Sequence, residues 1–353
     1  MNILVVNFLF LLFIGMFCSY PKPTKEKVKL FVVVCSIQLL FLRTFVDIRS
    51  VPDLEPYSWG YKQILSINFF KIPVANIYEV KIAETGFRYL MKICGMISSS
   101  FTFFLFVYGL LWIGGYLNVI KKYSPHVILS LILLTVGSFD QSIFVIRQHL
   151  AMLVVFLSYK YIIEKELWKY LGLMYLAYLL HQTAIIALPL YFLYHVRGNK
   201  GITFAIISVA ILLYLTFSFL LQNVGNDMLQ GYSSYIDSDA KTNSTGAILV
   251  ASELAAYIFI LKKKVLDEGI NKILFLSLIL GLILSICGIG FNPTSRLVMY
   301  YTSVSFLTIP IIVKNAKSGF LRHVMVVVFV LLNAYVAYYG SSFDCLRDFK
   351  LDI

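Results

Sequence analysis

The sequence predicts an all-α, polytopic integral membrane protein. Of its 353 residues, 59% are hydrophobic and 14% are charged, and the mean hydropathy is +0.83. A soluble protein carries about 25% charged residues, so this chain has too few to cover a water-exposed surface. Its apolar residues also gather into runs near the length of about 20 residues that crosses a bilayer as a helix. These observations exclude a soluble enzyme, a nucleic-acid-binding module and a disordered scaffold.

The apolar runs follow one another along the whole chain and predict a single transmembrane domain over residues 1–353. The first run has no basic residue before it and no small-residue cleavage site, so we expect a retained span instead of a secretory signal. Together the runs predict about 12 transmembrane or re-entrant helices. They cover residues 3–20, 29–46, 98–120, 125–140, 142–163, 168–196, 202–222, 246–261, 272–290, 296–313 and 322–340.

The run 168–196 has an unusual length. As one straight helix it would cover about 43 Å, which is too long for one span, yet it is too short for two spans of about 20 residues each. Polar residues at His181 to Thr183 mark a turn, and Pro189 disfavours an unbroken helix. We therefore predict a pair of short helices, or a re-entrant hairpin, with its tip at His181. One long tilted helix is the alternative, but it would place every later loop on the opposite side of the membrane, with Lys262 to Lys264 outside.

The basic residues set the orientation. With the N-terminus outside, the cytoplasmic segments hold 18 basic residues and five acidic ones, and the remaining segments are balanced. Cytoplasmic loops of membrane proteins carry this excess of Lys and Arg. The sequence therefore predicts a multi-pass protein of the bacterial inner (plasma) membrane with both termini outside.

Two outer segments are long. Residues 47–97 contain prolines, charges and weakly amphipathic stretches, and they predict an outer loop with interfacial helices. Residues 223–245 are rich in Asn, Asp, Ser and Gly and predict an outer polar loop. There is no internal repeat, so the two-halved architecture of many transporters has no support.

Five ionisable residues lie inside the predicted spans at a similar height. Such residues cost at least ~2.5–3.5 kcal/mol each on insertion scales and mark functional sites. Counted from the ends of their spans, all five can converge in the outer half of the membrane. They are Arg43, Arg147, His181, Glu253 and Arg296.

Three arginines in one layer favour an anionic ligand. A guanidinium group binds phosphate through two parallel hydrogen bonds and stays charged at any relevant pH. A pyrophosphate attached to a long lipid is the natural anion at this depth. The alternative for each arginine is an anchor whose charged end reaches the interface. Glu253 has a structural alternative as the ion-pair partner of one arginine.

His181 is the candidate catalytic residue. A neutral imidazole can accept a hydroxyl proton near pH 7, although a hydrogen-bonded packing histidine is the alternative. The outer-side tyrosines could stack on sugar rings; they are Tyr57, Tyr61, Tyr300 and Tyr301. The sequence has no metal-binding motif and no glycine-rich phosphate loop, so we expect no metal and no cofactor.

Several short motifs resemble those of the EpsG-type, Wzy-like bacterial polysaccharide polymerases, in the same order over nearly the whole chain. One departure is Val51-Pro52-Asp53, which stands where the family pattern has Gly-Thr-Asp. The motifs are Arg43 followed by Asp53 and Tyr57, Glu84 to Phe87, Ile146 to Gln148, Leu180 to Ala184, and Arg296 with Tyr300.

The resemblance implies a metal-independent membrane glycosyltransferase of capsule, exopolysaccharide or O-antigen assembly, with a fold similar to the GT-C class. Such an enzyme transfers a growing glycan from undecaprenyl pyrophosphate to a new lipid-linked repeat unit. Its partners would be that lipid-linked oligosaccharide and the bilayer, with a flippase and a chain-length regulator as further candidates and no nucleic acid. With His181 as the catalytic residue, the predicted substrate-binding residues are Arg43, Asp53, Tyr57, Glu84, Arg147, Gln148, Glu253, Arg296 and Tyr300.

Three other functions remain open. A membrane acyltransferase that modifies the same polysaccharide would need a cytoplasmic entry for its acyl donor and a histidine in reach of it, whereas His181 is predicted nearer the outer side. An O-antigen ligase shares the chemistry, but it usually has a larger late outer loop than residues 223–245. A non-enzymatic flippase for lipid-linked oligosaccharides would use the same arginines without a base, and it should show two related halves.

Overall fold

The described part of the chain is helical. The computed structural model describes residues 3–20, 22–74, 84–196, 244–262, 269–287 and 293–339, with isolated positions between 201 and 212 and, near the C-terminus, 346 and 349–352. Within these residues there is no strand apart from an isolated β-bridge between Val46 and Leu351. The all-α prediction is confirmed there. The predicted run 202–222 and the polar loop 223–245 lie outside the described residues, apart from isolated positions in the run and the last two loop residues.

The described helices follow the predicted runs in order. Two 3₁₀ segments cover Phe69–Val74 and Gln182–Ala187, and a π-helical segment covers Thr135–Phe139. The helices are α1 (Ile3–Ser19), α2 (Lys25–Thr44), α3 (Leu54–Ser66), α4 (Thr85–Ile97), α5 (Phe101–Tyr123), α6 (Val127–Leu134), α7 (Asp140–Phe144), α8 (Ile146–Ile163), α9 (Leu167–Leu180), α10 (Pro189–His195), α11 (Ser244–Leu261), α12 (Ile270–Cys287), α13 (Pro293–Thr302), α14 (Ser305–Asn315) and α15 (Gly319–Tyr339).

Among the described residues, four helical stretches are long and apolar enough to cross a membrane. Several shorter apolar helices accompany them, including Ile3–Ser19 and Leu167–Leu180. The protein is therefore an all-helical membrane protein, whereas the number of about 12 spans stays a prediction. The four stretches are Phe101–Tyr123, Val127–Phe144, Arg296–Asn315 and Gly319–Ala337.

Helix α8 lies in the middle of the packed core. Its Phe156 meets Tyr116 of α5 at 5.7 Å and Phe306 of α14 at 5.6 Å between ring centroids. Gly115 on α5 allows a close approach, because a Cβ there would lie 2.4 Å from a methyl group of Leu153 on α8. These contacts pack the middle of α8 against α5 and α14.

The chain reverses at His181. The hydroxyl of Tyr170, near the start of α9, donates to the Ala187 carbonyl at 2.9 Å, and its ring lies 5.1 Å from that of Tyr191 on α10. A straight helix would carry residue 187 about 25 Å from residue 170. The predicted turn at His181 is confirmed, and the returning limb is a 3₁₀ segment followed by α10, with Pro189 at the first position of that helix.

The segment predicted as an outer loop holds α3, a 3₁₀ segment and α4. Phe70 and Val74 are strongly exposed, at 87% and 84%, as expected for side chains that meet lipid. The interfacial position of these helices stays a prediction, and residues 75–83 lie outside the described part of the chain.

Candidate functional site

Glu84 joins two of the predicted site residues. This carboxylate is 6% exposed and lies immediately before α4. One oxygen, Oε1, lies 2.8 Å from Nδ1 of His181, which is 97 residues away in the sequence. The other, Oε2, forms an ion pair with Nη1 of Arg147, which is 63 residues away. A single carboxylate thus connects the candidate base with a candidate phosphate-binding arginine.

The residues after Glu84 explain how it reaches this position. A Cβ on Gly86 would lie 2.7 Å from the carbonyl oxygen of Leu179, the penultimate residue of α9. Only glycine therefore lets the start of α4 pack against the end of α9, next to His181. Phe87 is fully buried and meets the Tyr57 ring at 5.9 Å between centroids. The motif therefore provides the carboxylate of Glu84, the close contact between helices at Gly86 and the buried ring of Phe87.

Arg147 is held on two sides. It lies in the first turn of α8, and its Nε donates to the Tyr57 hydroxyl at 2.7 Å. Its guanidinium carbon lies 5.5 Å from the centre of the Tyr57 ring. The Arg147 side chain is 20% exposed, compared with 5% for that of Glu84. This arginine therefore retains access to the surface while its direction is fixed.

Glu84, His181 and Arg147 together form the Glu84 cluster, and its charges favour an ionised Glu84 carboxylate. Burial alone would raise the pKa of its carboxyl, but the hydrogen bond with His181 and the positive charge of Arg147 outweigh burial and lower the pKa from 4.5 to about 2. An ionised carboxylate only accepts hydrogen bonds, so His181 donates from Nδ1. In a neutral imidazole the other nitrogen, Nε2, is then the proton acceptor.

Helix α13 adds two further predicted residues. The Gln148 side-chain amide donates to the backbone carbonyl of Arg296, so the start of α13 lies beside the first turn of α8. The Thr183 hydroxyl donates to the Tyr300 hydroxyl at 3.2 Å, and Tyr301 donates to the carbonyl of Ile186. The two tyrosines thus hold the 3₁₀ segment that follows His181.

Asp53 lies near the cluster without being tied into it. It precedes α3 in the left-handed conformation, with φ 66°, and its side chain makes no capping hydrogen bond. Its backbone carbonyl accepts from the Tyr57 amide at 3.1 Å. Asp is one of the few residues that tolerate this conformation, so Asp53 sets the start of the helix that carries Tyr57.

Arg43 and Glu253 form no described hydrogen bond or ion pair with Glu84, His181 or Arg147, whereas the convergence of all five ionisable residues in the outer half of the membrane stays a prediction. The Arg43 guanidinium is bonded to Ser142. Height along a helix fixes only one coordinate, and these side chains point towards other neighbours.

The alternative interpretation of Glu253, as the ion-pair partner of an arginine, is wrong. Its carboxylate accepts hydrogen bonds from the hydroxyls of Ser305 at 2.5 Å and Thr308 at 2.7 Å. Within the described part of the chain it forms no ion pair. Because Ser305 and Thr308 lie on one face of α14, the carboxylate joins α11 to that helix.

The tyrosines serve a different purpose from the one expected. Tyr57 and Tyr300 are 6% and 0% exposed, and their hydroxyls contact Arg147 and Thr183. Their ring faces are therefore buried instead of being presented for stacking on sugars. Thr183 was missed as a site residue, although its place two residues after His181 was a usable signal.

The fold and the cluster define an all-helical membrane protein in which a carboxylate, a histidine and an arginine meet in a partly buried site. The chain matches the EpsG family over residues 32–345, and it belongs to that family. No curated protein and no solved structure matches it. The predicted family resemblance is confirmed. Membership indicates a polymerase-like, glycosyltransferase-like role in polysaccharide biosynthesis at the membrane.

Proposed function

We propose that this protein polymerises undecaprenyl-pyrophosphate-linked repeat units on the outer face of the inner membrane, in capsule, exopolysaccharide or O-antigen assembly. The observation that carries the proposal is the position of Glu84 between His181 and Arg147. A histidine and an arginine thus contact the same carboxylate, which supports a proton acceptor next to a fixed cation. Membership of the EpsG family supports the same reaction class.

The proton acceptor is His181. Because Glu84 accepts a hydrogen bond from Nδ1, Nε2 is left to take the proton of the acceptor sugar hydroxyl. The oxygen of that hydroxyl forms a bond to the anomeric carbon of the donor glycan. The bond between that carbon and the diphosphate oxygen breaks, and the lipid diphosphate leaves with the electron pair.

The cation is Arg147, with Arg296 as its partner. Negative charge grows on the diphosphate as its bond to the sugar breaks, and fixed guanidinium groups stabilise that charge. Arg147 is oriented by Tyr57, and the backbone carbonyl of Arg296 accepts a hydrogen bond from Gln148, the residue next to Arg147. In this proposal the two arginines bind the diphosphate, and no metal or cofactor is assigned a role.

The paired Glu84 and His181 favour an enzyme over a flippase, since transport requires no base. A ligase would use the same donor and the same base but a different acceptor. The acceptor therefore separates these two enzymes, and the test includes both acceptors.

The test uses purified protein in lipid nanodiscs, supplied with lipid-linked repeat units extracted from cells that lack the protein, and in a parallel reaction with the same units plus lipid A core. We expect a ladder of polymer and release of undecaprenyl diphosphate. Arg147→Ala should abolish the ladder, and Arg147→Lys should restore little of it, because an ammonium group cannot form the two-bond fork.

Arg49→Ala is the matched control, because Arg49 is an exposed arginine paired only with Asp47 among the described contacts. It should leave the ladder unchanged. A full ladder from Arg147→Ala would overturn the proposal. Transfer to a lipid A core acceptor without any ladder would identify a ligase instead.

A further inference from the structure

Arg43 occupies an enclosed aromatic site and has no described bond to Glu84, His181 or Arg147. It is 1% exposed, and its guanidinium carbon lies 4.6, 4.7 and 5.1 Å from the ring centres of Tyr108, Trp112 and Phe139. No described carboxylate lies within ion-pair distance of it. A buried cation is costly unless its surroundings compensate it, so the contacts that it makes need an explanation.

Two of the three guanidinium nitrogens of Arg43 bond to one residue, whereas its Nε has no described hydrogen-bond partner. Nη1 donates to the Ser142 backbone carbonyl at 3.1 Å, and Nη2 donates to the Ser142 hydroxyl. The Tyr108 hydroxyl donates to the same carbonyl at 2.7 Å. The Ser142 hydroxyl in turn donates to the carbonyl of Phe139, the last residue of the π-helical segment.

The Ser142 carbonyl lies at an interruption of the helix. In a continuous helix it would accept the amide of Ile146, four residues on. Val145 departs from helical geometry, with φ −89° and ψ 51°, and α8 begins at Ile146. Arg43 and Tyr108 therefore supply the donors that the interrupted helix does not.

The pocket is built to hold this side chain. A Cβ on Gly109 would lie 3.3 Å from Cδ of Arg43 and 2.7 Å from a methyl group of Leu40. Glycine at this position of α5 leaves the room that the arginine stem occupies. A guanidinium held by rings on three sides, with two of its nitrogens on Ser142, is fixed in one direction.

We propose that Arg43 is a positioning residue, which fixes the interruption between α7 and α8 and thereby the direction of Arg147 and Gln148. Those two residues follow the interruption immediately and contact Glu84, Tyr57 and the Arg296 backbone. This replaces the expectation that Arg43 touches the substrate. The consequence for ligand binding rests on the proposed function.

The test removes single hydroxyl groups. Tyr108→Phe deletes one donor to the Ser142 carbonyl, and Ser142→Ala deletes the acceptor of Nη2. Each should raise the Kd for undecaprenyl diphosphate by roughly three- to tenfold, the equivalent of one buried hydrogen bond. Tyr116→Phe is the matched control, because Tyr116 is a buried tyrosine on the same helix whose hydroxyl has no described hydrogen-bond partner. It should leave Kd unchanged.

A double variant shows whether the effect passes through Arg147. If Arg43 acts by directing Arg147, Tyr108→Phe should weaken binding no further in an Arg147→Ala background, because coupled changes are not additive. Full additivity would overturn the proposal. If Arg147→Ala itself leaves Kd unchanged, the proposed function fails, and the positioning role is then decided by a second measurement.

That second measurement is amide hydrogen exchange over residues 142–149, which needs no ligand. Tyr108→Phe and Ser142→Ala should speed exchange there by several-fold while Tyr116→Phe does not, since the hydrogen bonds at the interruption protect this segment. Equal exchange in all three variants, or an equal rise in the control, would overturn the positioning role.

Discussion

At the scale of single residues, Glu84 makes two contacts that the sequence does not reveal. It accepts the hydrogen bond from Nδ1 of His181, which in the proposed reaction leaves Nε2 to take a proton, and it forms an ion pair with Arg147. A histidine in this arrangement resembles the oriented bases of acyl-transfer enzymes, in which a carboxylate fixes the tautomer. In the proposed reaction the carboxylate is a positioning residue, since the imidazole would take the proton.

Glu84→Gln should lower the rate of polymerisation by about 100-fold or more, within the usual contribution of general base catalysis. The amide is neutral, so it loses the ion pair with Arg147, and it can donate as well as accept, so it no longer restricts Nδ1 to the donor role. The measurement is the rate of undecaprenyl diphosphate release from the nanodisc enzyme. Glu55→Gln, a partly exposed carboxylate on α3, serves as the control and should retain activity. Wild-type rates from Glu84→Gln would remove the carboxylate from the reaction.

The same residue predicts a pH dependence of stability. Its pKa is lowered from 4.5 to about 2 in the folded protein, so its stabilising effect is complete above pH 4.5 and disappears as the pH falls through 2. The shift corresponds to roughly 3 kcal/mol. Between pH 7 and pH 3 the Tm of the wild type should therefore fall more steeply than that of Glu84→Gln. Parallel profiles would contradict the ionised pair.

At the scale of elements, the segment after His181 is held by tyrosines from two helices. Tyr300 and Tyr301 of α13 and Tyr170 of α9 all bond to residues between Thr183 and Leu188. A 3₁₀ segment is held by poorer hydrogen-bond geometry than an α-helix, so these contacts define the position of the imidazole.

Tyr301→Phe should lower polymerisation several-fold, because it removes the donor to the Ile186 carbonyl and loosens the returning limb. Tyr257→Phe is the control: its hydroxyl bonds to Asn271, away from the site. Both variants lose one hydrogen bond of a buried tyrosine, so both should lower Tm by a few degrees. Only Tyr301→Phe should reduce the rate, and an equal reduction in both would mean a general loss of stability.

The helices and the turn at His181 can be predicted from the sequence more readily than the side-chain contacts between distant segments. The reversal at His181 follows from a run of unsuitable length with polar residues at its centre, and both features are local. The Glu84 pairings join segments 63 and 97 residues apart, and no periodicity encodes them. Glu253 was misassigned because a buried carboxylate is expected to seek a cation, whereas two hydroxyls on one face of α14 satisfy it.

At the scale of the whole molecule, the C-terminal residues fix which ends of the helices lie together. The Asp47 amide donates to the Lys350 carbonyl at 2.9 Å, and the Asp352 amide donates to the Phe45 carbonyl at 2.8 Å. The C-terminal segment therefore lies at the end of α2 opposite to Lys25. A helix of that length covers about 30 Å, the thickness of a bilayer core.

This arrangement makes the predicted orientation testable. In a cysteine-free background, Lys350→Cys should react with a membrane-impermeant maleimide in intact cells, whereas Lys25→Cys should react only after permeabilisation. Arg49→Cys, which lies beside the C-terminal segment, should behave like Lys350→Cys. The opposite pattern would invert the topology and place the Glu84 cluster on the cytoplasmic side, where the proposed reaction does not occur.

The most direct test of the central claim, that His181 is the base of a lipid-linked glycan polymerase, is the polymer ladder made by His181→Gln in nanodiscs. Glutamine can keep one donor and one acceptor in about the same volume, so it preserves packing but cannot take a proton. We expect no ladder, with binding of undecaprenyl diphosphate near that of the wild type, because the arginines hold the diphosphate. A full ladder from His181→Gln would contradict the account and leave His181 as a structural residue at the tip of the hairpin.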